Sequence, residues 1–153
     1  MEQEVFKRYL GKMQALCSRG EKCRADIRMK LEKTDVPQDV ITEILNKLEK
    51  EGFIDEHRYA GAYVHDKFRL QGWGPVKIAS MLKIKKIPDH VISRALLEIG
   101  ENSVLETLKD SLMKKAASVK ESDPVKRRAK LTRFALSKGY TYAQIYQVLK
   151  QLQ

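Results

Sequence analysis

The chain has 153 residues, 42% apolar and 33% charged, which excludes both a disordered composition and a disulfide-built scaffold, since Cys17 and Cys23 are the only cysteines. No run approaches the roughly 18 consecutive apolar residues of a membrane helix, and the charged opening Met1-Glu2-Gln3-Glu4-Val5-Phe6-Lys7-Arg8 has no apolar stretch of a secretory signal, so a cytoplasmic location with free thiols is expected. Lysine and arginine number 30 against 20 aspartate and glutamate, a net charge of +10 that points to a polyanionic partner.

Apolar residues recur with helical spacing throughout, and strict alternation is nowhere sustained, so the fold is predicted to be all-α. The first three helices are expected over 2–18, 22–34 and 37–51, the next three over 55–70, 74–85 and 88–99, and the last three over 103–120, 124–138 and 141–152. Asp55 is placed to cap the fourth helix, with Ile54 and Tyr59 as the flanking hydrophobic staple. Asp123-Pro124 reads as a cap followed by the first helical residue. Thr141 and Gln144 form a capping box, with Tyr140 stapled onto Ile145. Gly52 and Gly139 suit helix ends, and Gly72-Trp73-Gly74-Pro75 is a turn into the fifth helix.

These helices repeat. Ile27, Leu31, Val36, Val40, Ile41, Ile44, Leu45 and Leu48 map, 51 residues on, onto Ile78, Leu82, Ile87, Val91, Ile92, Ala95, Leu96 and Ile99, and Pro37 maps onto Pro88. At this composition eight apolar coincidences in eight arise about once in a thousand random trials. A shift of 104 residues gives Leu131, Ala135, Tyr140, Gln144, Ile145, Val148, Leu149 and Leu152, seven of them apolar. Three tandem three-helix repeats follow, over 1–51, 52–102 and 103–153. Each is too small to be comfortably stable alone, so they are expected to stack into an elongated, curved array with no deep catalytic pocket.

Catalytic chemistry finds little support. There is no phosphate-binding glycine loop with its Lys-Ser/Thr and no H-E-x-x-H. His57 and His65, eight apart on one predicted helix, are separated by about 12 Å and cannot share a metal. Cys17 and Cys23 lack zinc-site spacing. Asp55-Glu56 would put two carboxylates about 100° apart on a helix, and helix capping accounts for Asp55. No catalytic residue, metal or cofactor is expected.

The basic residues carry the functional signal. Residues 103–153 hold 11 basic and 4 acidic side chains, so +7 of the net charge lies in the last third. Lys126, Arg127, Arg128, Lys130, Arg133 and Lys138 lie on one predicted helix with no acid between them, and Lys126, Lys130 and Arg133 share a face. Self-repulsion opposes such a helix, so phosphate contact is the favoured reading. Arg24, Arg28, Lys67, Arg69 and Lys77 are the alternative contact set on the first two repeats. Lys83, Lys85 and Lys86 cluster at a helix end, where the dipole alone accounts for cations. Trp73 either packs over the adjoining helices or serves as an exposed anchor. Tyr59, Tyr63 and Tyr140 stand at core spacing.

The segment Gly52-Phe53-Ile54-Asp55-Glu56-His57-Arg58-Tyr59-Ala60, followed by Gly72-Trp73-Gly74-Pro75-Val76-Lys77-Ile78 and Leu82, resembles the RecX family of bacterial regulatory proteins. The upstream Cys17-Ser18-Arg19-Gly20-Glu21-Lys22-Cys23-Arg24 and the Ile27, Leu31 pair are similar to that family's first repeat. The resemblance covers about residues 9–99; beyond 103 mainly size, repeat phase and basic character agree. It implies tandem three-helix repeats and a non-enzymatic modulator of the RecA recombinase in DNA recombination and repair. Such a modulator binds the filament on single-stranded DNA and mostly inhibits strand exchange and ATP hydrolysis. Asp55, Arg58, Tyr59, Ala60, Gly72, Gly74, Pro75, Ile78 and Leu82 match the motif positions and read as mostly architectural; Glu56 stands where an aspartate is common. A monomer with weak direct DNA binding is expected. The alternative is a stand-alone DNA-binding protein using one repeat as a helix-turn-helix reader, although no predicted helix shows a row of Arg, Asn or Gln to meet base edges.

Overall fold

The computed structural model describes residues 2–152, and among these it contains nine helices and no strand. They are α1 (Glu2–Ser18), α2 (Arg24–Glu32), α3 (Gln38–Lys50), α4 (Glu56–Gln71), α5 (Pro75–Ile84), α6 (Asp89–Leu97), α7 (Glu101–Ser118), α8 (Pro124–Lys138) and α9 (Tyr142–Gln151). Helices pack chiefly within the triplets α1–α3, α4–α6 and α7–α9.

Local chemistry sets the helix starts. The Asp55 carboxylate accepts the Arg58 N–H at 3.0 Å. Thr141 Oγ1 accepts the Gln144 N–H at 3.1 Å while Gln144 Oε1 accepts the Thr141 N–H at 2.9 Å, the predicted reciprocal box. Asp123 accepts from Lys126 N–H at 3.4 Å, with Pro124 the first helical residue. The second helix starts at Arg24 and not at 22, because Cys23 takes the cap position and its N–H is held by the Asp26 carboxylate at 3.3 Å.

The repeat phase places the core. Ile27, Leu31, Ile78 and Leu82 are all fully buried, as are Ile41, Ile44, Leu45 and Leu48. Leu152 departs from the pattern: just past the end of α9, it is exposed. Among the described residues no charged side chain is buried, and the hydroxyl-bearing ones that are buried are Tyr59 and Tyr140.

The apolar interior divides unequally. Met13, Ile27, Leu31, Val36, the α3 stripe and Ile54 form one cluster inside the first triplet. The second and third triplets share a single cluster running from Tyr59 and Phe68 through Ile78 and Leu108 to Tyr140 and Leu149. From the first triplet, Cys23 is the buried residue that joins this larger core. The accessible surface is 9842 Å², whereas a compact monomer of 17.7 kDa would expose about 7,900 Å². An array of stacked small units accounts for the excess.

The two joints explain the unequal cores. Between the second and third triplets, the start of α5 sits on the end of α8: the Gly74 N–H donates to the Lys138 carbonyl at 2.7 Å, and the Val76 N–H donates to the Gly139 carbonyl at 2.9 Å. Orphan donors of one helix thus satisfy orphan acceptors of another. Tyr140 is buried there and its hydroxyl donates to the Gly72 carbonyl at 2.9 Å. Between the first and second triplets, the repeat-equivalent positions are Cys23 for Gly74 and Lys86 for Gly139. Side chains stand where glycines would permit backbone contact. That joint is bridged by ion pairs, Lys85 to Asp26 at 2.6 Å and Arg58 to Glu21 at 2.5 Å, so the apolar interiors stay largely separate.

Candidate polyanion interface

Helix α8 buries Leu131 and Ala135, which turns Lys126, Lys130 and Arg133 outward as the spacing predicts. Helix α7 ends beside it, and Lys115 in its last turn and Lys120 just beyond its end join the same surface. Together Lys115, Lys120, Lys130 and Arg133 wall a groove of about 440 Å³ floored by Val119 and Phe134. The Lys115 ammonium lies 5.2 Å from the Phe134 ring centroid, where the aromatic face attracts it. One carboxylate enters this surface, Glu121, paired with Lys130 at 3.5 Å. Four cations, one acid and an apolar floor suit the phosphates of a polymer.

Not every predicted cation faces that groove. The Arg127 guanidinium donates to the carbonyls of Ala116 at 2.6 Å, Val119 at 3.0 Å and Glu121 at 3.4 Å. It satisfies orphan carbonyls at the end of α7 and offsets the negative end of that helix next to the groove. Arg128 turns toward α9 and lies 5.6 Å over the Tyr146 ring. Lys138 donates to the Gln71 carbonyl at 2.7 Å across the joint. The six cations of α8 therefore divide, three on the open face and three on contacts with neighbouring elements.

The candidates on the first two triplets are also divided. Arg24 pairs with Glu49 at 3.0 Å and donates to Asn46 at 3.3 Å. Arg28 stands 4.0 Å from Glu32. Arg69 is exposed near the end of α4, where it shares a hollow with Lys114 and Asp110. Lys67 and Lys77 flank Trp73, their ammonium groups 4.8 and 4.2 Å from the ring centroid. Trp73 itself is half-buried against the shared core, with Tyr63 edge-on at 6.5 Å.

The motif residues are chiefly structural. Asp55 caps α4; Tyr59, Ala60, Ile78 and Leu82 are core. Besides pairing with Glu21, the Arg58 guanidinium donates to the carbonyls of Gly52 at 2.9 Å and Phe53 at 3.4 Å. Gly72, Gly74 and Pro75 build the joint. Burial raises the Asp26 carboxyl, but the Lys85 ammonium and the Cys23 N–H together outweigh it and hold the group below its ordinary value. The Lys85 ammonium is raised by the same hydrogen bond.

Sequence reasoning missed Lys115 and Lys120 as walls of the groove, although their share in the basic third was visible. It separated His57 from His65 correctly but did not foresee that packing sets His57 beside His90 on α6, ring centroids 6.1 Å apart. Among the described residues no group of three or more His, Cys, Asp or Glu is arranged to hold a metal ion, and no helix is long and apolar enough to cross a membrane.

Fold and surface together define a basic, all-helical tandem-repeat protein with a cationic groove. Residues 55–96 match the family description "RecX, second three-helix domain", and residues 101–149 match "RecX, third three-helix domain". The chain belongs to the RecX family. It is 30% identical over 135 residues to Regulatory protein RecX of Clostridium acetobutylicum, covering 86% of this chain and 62% of that protein. It is 33% identical over 135 residues to the namesake from Clostridium botulinum strain Eklund 17B, covering 87% and 63%. The chain thus spans under two thirds of the length of these relatives. The fold is shared with the crystal structure of RecX from Lactobacillus salivarius, at 24% identity and a TM-score of 0.86 over 98% of this chain and 97% of that one. A second crystal structure, of regulatory protein RecX, matches at 25% identity and a TM-score of 0.89 over 98% and 73%.

Proposed function

We propose that this chain is a non-enzymatic cytoplasmic regulator that binds a RecA-type recombinase filament on single-stranded DNA and restrains its strand exchange and ATP hydrolysis. The observation that carries this reading is the groove of Lys115, Lys120, Lys130 and Arg133, on an extended array whose relatives are named regulatory proteins. Residues 1–51, 52–102 and 103–153 act as three units along the array. A monomer lies in the filament groove, each unit making modest contacts whose effects combine through effective concentration. Occupying the groove obstructs duplex entry or subunit addition, which requires neither cofactor nor metal.

The test is filament affinity across a salt series. Reversal of Lys126, Lys130 and Arg133 to Glu should weaken binding far more at low salt than at high salt, because released counterions set the salt slope. Circular dichroism should show an intact fold, since the three positions are exposed. Unchanged affinity in the folded variant would move the contact to Arg24, Arg28, Lys67, Arg69 and Lys77. Sequence-preferring binding to duplex DNA without recombinase would instead support a helix-turn-helix reader.

A further inference from the structure

We propose that Ser118, at the end of α7, is a phosphorylation site whose phosphoryl group closes the cationic groove. The inference rests on the groove reading above and adds to it a covalent means of switching the groove off.

The first observation is position. Ser118 is exposed and lines the groove together with Lys115, Lys120, Lys130 and Arg133. It stands one turn after Lys115, and its hydroxyl donates to the Lys115 carbonyl at 2.9 Å. Among the described residues no carboxylate pairs with Lys115, Lys120 or Arg133. The acid on this surface, Glu121, meets Lys130 at 3.5 Å. Three cations of the groove thus lack a counter-charge within the chain, and Ser118 is the hydroxyl that shares their surface.

The second observation comes from the sequence. Ser118 follows Lys114-Lys115-Ala116-Ala117, and of the eight serines it alone has two adjacent cations within the four preceding residues. Protein kinases select substrates by such charge patterns. Just beyond Ser118 the backbone leaves the helix: Val119 is extended, at φ −79° and ψ 122°, and α8 begins only at Pro124. Helix ends fray, so opening the last turn of α7 presents Ser118 to a kinase cleft.

The phosphoryl donor is a nucleoside triphosphate bound to the kinase. The Ser118 Oγ–P bond forms as the bond from the γ-phosphorus to the β-phosphate oxygen breaks. The hydroxyl proton passes to the kinase's carboxylate base, and the nucleoside diphosphate leaves.

A phosphoserine carries a charge of about −1.5 to −2 at neutral pH and three acceptor oxygens. At a helix C-terminus that charge is unfavourable by itself. Here the Arg127 guanidinium, on the Ala116 and Val119 carbonyls, already offsets the negative end of α7. The groove cations supply charge-assisted partners for the new oxygens. About two of the four cations are neutralised, which removes about two contacts from any external polymer of phosphates.

Three measurements test the site. Phosphopeptide mass spectrometry of the chain isolated from the cells that make it, with phosphatases inhibited, should find phosphate on Ser118; its absence there would overturn the assignment. The full chain is then produced with phosphoserine installed at position 118 and titrated by phosphorus NMR. The cations should draw the second ionisation of the phosphoryl below the about 6 of a free phosphoserine, and Lys120→Gln and Arg133→Gln should each raise it again. A midpoint left at the free value in the folded chain, checked by circular dichroism, would show that the groove does not hold the group. Finally, filament affinity is compared across a salt series. The phosphorylated chain should lose about 1.4 from the salt slope, a loss of affinity about sevenfold greater at 50 mM than at 200 mM salt. Ser18 ends α1 in the same manner, its hydroxyl on the Gln14 carbonyl at 2.9 Å, so phosphoserine installed there is the control and should leave affinity unchanged. Equal losses at the two positions, or none at Ser118, would overturn the switch. An unmodified chain that fails to bind the filament, beside a lowered phosphorus titration, defeats the filament reading alone; filament binding that phosphorylation leaves intact defeats this inference alone.

Discussion

Gly74 and Gly139 touch through their backbones. A Cβ on Gly74 would stand 2.6 Å from the Gly139 carbonyl carbon, and one on Gly139 would stand 2.6 Å from the Lys77 nitrogen. Gly139 also holds φ at +103°, in the left-handed region. This contact lets the end of α8 meet the start of α5 and lets one apolar core run through two triplets.

Gly74→Ala should therefore loosen the joint, costing about 1–3 kcal/mol, because backbone and not a flexible side chain must move. Gly11→Ala is the control: inside α1 its Cβ meets nothing within 4 Å, so helix propensity should stabilise by about 0.5–1 kcal/mol. Urea midpoints of the two variants should move in opposite directions.

Leu82 is fully buried in the shared core, and Leu82→Ala should cost about 2–5 kcal/mol. Equilibrium unfolding gives the value; a loss well under 1 kcal/mol would contradict the packing.

The Asp26 to Lys85 pair should make the first joint acid-sensitive. The folded Asp26 carboxyl lies below its ordinary value of 3.8. Its contribution is fully present above that value and is lost as pH falls through the folded one. The side chains are 23% and 34% exposed, so the pair is worth about 1 kcal/mol or less. Hydrogen exchange should show α1–α3, with their own core, opening first on acidification, and Asp26→Asn should remove that extra sensitivity.

Tyr140 provides the alkaline counterpart. Burial pushes its phenol up to about 12 from an ordinary 10.0. The group's contribution is complete below pH 10.0 and is lost as pH rises through about 12. Tyr140→Phe should cost about 1 kcal/mol for the hydrogen bond to Gly72 and flatten the alkaline unfolding profile.

Arg127 and Arg133 should separate structure from binding. Arg127→Ala removes three hydrogen bonds from the carbonyls at the end of α7 and in the turn after it and should lower stability by about 1–3 kcal/mol. Arg133→Ala, exposed in the groove, should leave stability within about 0.5 kcal/mol and weaken filament binding instead. Thermal melts beside affinity measurements distinguish the two outcomes.

The division between Arg127 and Arg133 also shows where reading the chain runs out. Helix periodicity alone set nine helices, the phase of Ile27, Leu31, Ile78 and Leu82, and the caps at Asp55, Asp123 and Thr141, because these depend on residues within a turn or two of one another. Charge counting alone located the basic third, since it sums over residues irrespective of contacts. Tertiary structure decided which cations remain open. Arg127 and Arg133 look alike on α8, yet one lands on the carbonyl end of α7 and the other beside Lys115. It also decided that one joint closes and the other is bridged by ions, because Gly74 meets Gly139, and Asp26 meets Lys85, only when separate repeats are stacked.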